Sequence, residues 1–137
     1  MHPRVVVAVA DDALRHEALT YCRFLASTNA VEVSDAQGTE RATDAPFDLL
    51  ILDGDLPGIA VEDLLERFAG TIAGRRHVVL LTSRPLPVLR YPLITDTLPK
   101  PVKIESLLLA LDRWRDVMLA RPLQDLAVPT QSSSRQP

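Results

Sequence analysis

The chain has 137 residues, 47% of them hydrophobic, a formal net charge of -3, and few aromatic residues: three Phe, two Tyr and one Trp. That length accommodates one domain with an ordinary aliphatic core and excludes a second beside it, while the slightly acidic balance excludes a basic nucleic-acid surface. Cys22 is the sole cysteine, which excludes an internal disulfide and fits a reducing, cytoplasmic setting.

Val5 to Ala10 is a continuous, partly β-branched apolar run, too short for a signal peptide or a membrane span. It reads as a strand covered on both faces by helices. Asp11-Asp12 then open a helix over Ala13 to Ala26, with Leu14, Ala18, Leu19, Cys22 and Leu25 at helical spacing. Val31-Glu32-Val33 alternates like an edge strand, and Gln37 to Ala45 is polar with a weak helical signal. Phe47 to Leu52 and Val78 to Leu81 are two further buried strands, separated by an amphipathic helix over Val61 to Phe68.

Between Thr82 and Lys100, Pro85, Pro87 and Pro92 forbid a regular multi-turn helix. Leu93 to Leu98 can form a final strand, and Ile104 to Leu119 a closing helix with Ile104, Leu107, Leu108, Leu111 and Met118 on its apolar face. The expected domain therefore spans 1–120, and the polar, proline-bearing stretch 121–137 is expected to be a flexible tail.

Polar groups end these apolar runs in a fixed order: Asp11-Asp12, Asp53, Thr82-Ser83 and Lys100-Pro101. The carboxyl ends of parallel strands gather at one edge of a sheet, so these groups can share one pocket. Carboxylate attack on phosphorus needs a divalent cation between like charges, and Mg²⁺ bound by Asp11, Asp12 and Asp53 meets that need. The Lys100 ammonium and Thr82 hydroxyl would then bind a phosphoryl group on Asp53, with small Ser83 leaving it space. Each element also has a plainer reading: Asp-Asp as a helix cap, Asp53-Gly54 as a turn, Thr82 as a cap.

With Asp11-Asp12, Leu52-Asp53 followed by Leu56-Pro57-Gly58, Leu81-Thr82-Ser83 and Lys100-Pro101, residues 4–119 resemble the receiver domain of two-component response regulators. The resemblance implies an α/β, doubly wound, flavodoxin-like fold with a five-stranded parallel sheet in the order 2-1-3-4-5. It implies Asp53 as phosphoacceptor, Mg²⁺ held by Asp11, Asp12, Asp53 and the Asp55 carbonyl, and Thr82 and Lys100 on the phosphoryl group. The implied partners are a histidine kinase or phosphotransfer protein and a downstream protein, with no direct nucleic acid and no membrane.

Three departures stand out. The Thr82 to Lys100 segment is short and proline-rich where receivers have their fourth helix, so that helix is expected to be shortened or missing. Thr97 stands where the family's switch aromatic would be, with Tyr91 the nearest aromatic, and Val61 replaces an expected glycine. Asp55 adds a side-chain carboxylate beside the metal position.

His2, His16 and His77 lack ligand spacing, which argues against a zinc site. Trp114 lies at the border of the closing helix's apolar stripe; exposed it would imply a homodimer through that helix, buried it would pack on its own sheet. The leading reading is a single-domain response regulator. The alternatives are a receiver-fold interaction module indifferent to phosphorylation, and an aspartyl-nucleophile phosphatase of the haloacid dehalogenase type, whose extra acids would follow the lysine rather than precede Asp53.

Overall fold

A computed structural model of the chain describes residues 3–24, 29–69, 77–84, 91 and 93–127. The described elements are β1 (Arg4–Ala8), α1 (Asp12–Phe24), β2 (Asn29–Val33), α2 (Ala36–Asp44), β3 (Leu49–Asp53), α3 (Val61–Ala69), β4 (His77–Thr82), β5 (Ile94–Pro99) and α4 (Ile104–Ala127). The strands form one five-stranded sheet in the order β2-β1-β3-β4-β5, and every neighbouring pair is parallel.

The absence of apolar/polar alternation in β1, β3 and β4 has a direct cause. Val5, Val7, Ile51, Val79 and Leu81 face α1 and α4, where they meet Ala18, Leu19, Cys22, Leu107, Leu111 and Trp114. The intervening Val6, Ala8, Leu50, Leu52, Val78 and Leu80 face the other layer and pack with Phe47, Leu64, Leu65, Phe68 and Tyr91. Successive side chains of a strand point to opposite faces, so a central parallel strand must be apolar at every position. The edge strands are less buried: β5 alternates between partly buried and exposed residues along Ile94–Thr97.

Helix α2 accounts for its own weak sequence signal. Asp35 caps it by accepting the Gly38 N–H at 2.6 Å, and two of its buried positions are threonines, Thr39 and Thr43. Their hydroxyls donate within the helix to Asp35 O and Thr39 O, both at 2.8 Å, so the buried oxygens are satisfied without an apolar stripe.

Several expectations meet the structure at the chain's later elements. The proposed shortening of a helix before Lys100 falls on residues 85–90 and 92, which lie outside the described residues, as does His2. Helix α4 runs to Ala127 rather than stopping at Leu119. Leu119, Ala120, Arg121, Leu123, Gln124, Leu126 and Ala127 are strong helix formers, and they carry the backbone through Pro122 despite its missing N–H. Residues 128–137 of the expected tail lie outside the described residues.

Candidate functional site

Parallel register brings Asp53 and Lys100 to one edge. Leu52 pairs with Ala8 and Asp53 with Leu81, while Thr82 pairs with Pro99, so the carboxyl ends of β1, β3, β4 and β5 are level. Asp53 is 2% exposed, and its carboxylate accepts from three sides. Oδ2 accepts the Ala10 N–H at 3.2 Å; Oδ1 accepts the Asp55 N–H at 2.9 Å and lies 2.5 Å from Lys100 Nζ. A buried carboxylate needs such donors and a counter-charge to remain ionised.

Lys100 leaves β5 held by its own backbone, whose N–H donates to Thr82 O at 3.2 Å, and the Lys100-Pro101 peptide is cis. Burial works to lower the lysine's pKa but is outweighed by its hydrogen bonds to Asp53 and Asp55, so the ammonium titrates above its ordinary range. On the β3 side, Gly54 lets the turn press against β4: its N–H donates to Leu81 O at 2.7 Å, and a Cβ there would sit 3.3 Å from that oxygen.

The acidic pair is placed differently from Asp53 and Lys100. Continuing the β1–β3 register one step sets Val9 opposite Asp53, and Ala10 supplies the neighbouring N–H. Asp11 and Asp12 come later, after the chain has turned into α1. Asp11 caps that helix: its carbonyl accepts the Arg15 N–H at 2.9 Å and its carboxylate accepts the Leu14 N–H at 2.8 Å. Asp12 turns to solvent, its side chain 89% exposed and 2.5 Å from the Arg15 guanidinium. Arg15 in turn donates to the carbonyls of Val9 at 2.8 Å and Ala10 at 3.3 Å.

Asp11 and Asp53 line one cleft, whereas Asp12 lies outside it. Among the described residues no group of three or more His, Cys, Asp or Glu is arranged to hold a metal ion. Mg²⁺ is commonly held by one or two carboxylates with waters completing its shell, and the Asp53 carboxylate faces Lys100 and two backbone N–H groups. The helix-cap reading of Asp-Asp is the one the local geometry follows. The sequence signal for it is the length of the apolar run, which reaches Val9 and Ala10 before the first carboxylate.

Asp55 and Ser83, both expected beside the phosphoryl position, make a contact with each other that sequence reasoning did not anticipate. The Asp55 carboxylate accepts the Ser83 N–H and hydroxyl, each at 3.2 Å, and lies 3.2 Å from Lys100 Nζ. Burial works to raise its pKa, but hydrogen bonds from Lys100 and Ser83 outweigh this and hold it below the usual carboxylate range. The Thr82 hydroxyl is committed to its own loop, donating to Arg84 O at 2.9 Å and accepting the Arg84 N–H at 3.0 Å.

A cleft of about 400 Å³ opens beside Asp53 and Lys100, with Asp11 and Glu17 among its lining and Val9, Leu14, Val102 and Ile104 as apolar walls. Thr82 and Thr97 are the expected switch positions, and Thr97 is exposed on β5, where it pairs with Leu80. Tyr91 is buried against the α3 side of the sheet, and Trp114, 4% exposed, packs in the core under α4. Trp114 therefore does not offer the exposed anchor that a dimer through the last helix would need.

The sequence matches no family model and no curated protein. The fold, by contrast, is similar to many solved receiver domains. A CheY-like response regulator receiver domain protein from Methanospirillum hungatei JF-1 superposes with a TM-score of 0.68 at 18% identity, covering 88% of this chain and 99% of that one. The receiver domain of Francisella response regulator 1452 gives 0.65 at 16% identity, over 85% and 99%. The chemotaxis response regulator CheY4 of Vibrio cholerae gives 0.63 at 19% identity, over 83% and 99%. The chain has the flavodoxin-like receiver fold.

Proposed function

We propose that this chain is a receiver-fold signalling module that acts by binding a protein partner and does not depend on metal-assisted phosphorylation of Asp53. The observation that carries this reading is the displacement of the acidic pair: Asp11 caps α1, Asp12 faces solvent, and Val9 and Ala10 stand at the strand end beside Asp53. A phosphoryl donor is strongly anionic. It would meet the carboxylates of Asp53 and Asp55 with Lys100 as the shared ammonium and without acidic ligands gathered to place a divalent cation between the like charges.

One specific observation favours a second reading, in which Asp53 accepts a phosphoryl group from a histidine kinase or phosphotransfer protein with Mg²⁺ recruited. Lys100 lies 2.5 Å from Asp53 at the carboxyl end of β3, within reach of any group attached there. The aspartyl-phosphatase reading has no such support.

The two readings separate on one measurement. The protein is incubated with acetyl phosphate and Mg²⁺, and its intact mass is compared with that of Asp53→Asn. The expected result is no added mass on either protein. A stoichiometric phosphoryl adduct on the unsubstituted protein that Asp53→Asn abolishes overturns the first reading and establishes the second.

A further inference from the structure

We propose that the Asp55 carboxylate is an internal anion seated in an oxoanion-binding site built from the Lys100 ammonium and the Ser83 N–H and hydroxyl, closing that site to phosphate and to any phosphoryl group. The proposal deepens the reading above and rests on it.

Oxoanions are recognised by a cation together with directional N–H and O–H donors converging from different parts of the backbone. Lys100 follows β5 and Ser83 follows β4, and they converge on the carboxylate of Asp55, with Lys100 also paired to Asp53. All of these donors are already engaged by one carboxylate: Asp55 Oδ2 takes the Ser83 N–H at 3.2 Å and lies 3.2 Å from Lys100 Nζ, while Oδ1 takes the Ser83 hydroxyl at 3.2 Å. Two oxygens on one carbon thus span donors from two loops, as two oxygens of a tetrahedral oxoanion could.

The backbone fixes the carboxylate in place. The Asp55 N–H donates to Asp53 Oδ1 at 2.9 Å, and Gly54 is pressed against Leu81 O, so residue 55 is held beside Ser83 by its own turn. An external anion must displace a tethered competitor present at high effective concentration and must also accept the repulsion of its charge. An aspartate carboxyl is ordinarily ionised at neutral pH, so the tethered competitor carries a charge.

The test titrates isotopically labelled protein with inorganic phosphate and follows the Ser83 amide resonance in the unsubstituted chain, Asp55→Ala, Asp55→Asn and Asp55→Ala/Lys100→Met. The unsubstituted protein is expected to leave Ser83 unmoved, while both single variants show a saturable shift, with affinity raised at least about tenfold for removal of a charged competitor from charge-assisted donors. The double variant is expected to lose that gain, because the cation is gone. If folded Asp55→Ala and Asp55→Asn respond to phosphate no more than the unsubstituted chain, or if the unsubstituted chain already shows the Ser83 shift, the proposal is overturned. A phosphoryl adduct on the unsubstituted protein with acetyl phosphate overturns the functional reading instead, so the two failures are distinguishable.

Discussion

Asp11 accepts the Leu14 N–H at 2.8 Å, the bond of a helix cap, although its neighbour Asp12 carries the same side chain out to solvent. Two carboxylates adjacent in sequence therefore have different energetic roles. Asp11→Ala is expected to destabilise the protein by about 1 kcal/mol through loss of the cap, whereas Asp12→Ala, which breaks an exposed pair with Arg15, is expected to stay within about 0.5 kcal/mol. Urea unfolding of the two variants checks the contrast. Equal losses, or a large loss at Asp12 alone, would mean that the acids act together.

The Asp55–Lys100 contact sets a pH dependence of stability. The folded carboxyl of Asp55 titrates below its unfolded value of about 3.9, so the folded state binds fewer protons in that window. Its contribution is present above about pH 4 and is lost as pH falls through the folded value. Lys100 behaves in mirror image: its folded pKa is raised, so its contribution is full below about pH 10.4 and is lost as pH rises through the folded value. Asp55→Asn is expected to flatten the acid limb of a urea-midpoint profile and to keep part of the alkaline limb, because Asp53 still pairs with Lys100.

Trp114 is buried between α4 and the sheet. Its emission is expected to be blue-shifted and shielded from acrylamide until the protein unfolds, and Trp114→Ala to cost about 3–5 kcal/mol. A solvent-exposed emission spectrum in the native state would contradict the packing.

Cys22 is fully enclosed between α1 and the sheet, and burial pushes its thiol up to about 12. The thiolate is the reactive form, so a neutral-pH thiol reagent is expected to label Cys22 only as fast as the protein opens. Labelling under native conditions at the rate of a free thiol would place the residue elsewhere.

The layers of this fold are written in the sequence because burial on both faces demands unbroken apolar runs, which Val5 to Val9, Leu49 to Leu52 and Val78 to Leu81 supply. Asp53 ends such a run and Lys100 directly follows β5, so strand register alone brings the two to one edge. The acidic pair begins two residues after Val9, which the register sets opposite Asp53, so Asp11 lies at the cap of α1 rather than at the end of β1. The role of Asp55 was hidden for another reason: its partners, Ser83 and Lys100, are remote in sequence and meet it only once β4 and β5 are in register. Trp114 sat at the border of an apolar stripe, where periodicity alone does not decide which way a side chain turns.

Among the described residues no strand pairs with the outer flank of β5, and this has a consequence for self-association. An unpaired parallel edge invites addition of a strand from another molecule, yet this one ends in Pro99, which lacks an N–H, and carries Asp96 paired with Arg113 of α4 at 2.6 Å. A backbone seeking to extend the sheet there would meet a missing donor beside a charged residue. On the β5 side, the sheet is thus terminated by its own chemistry.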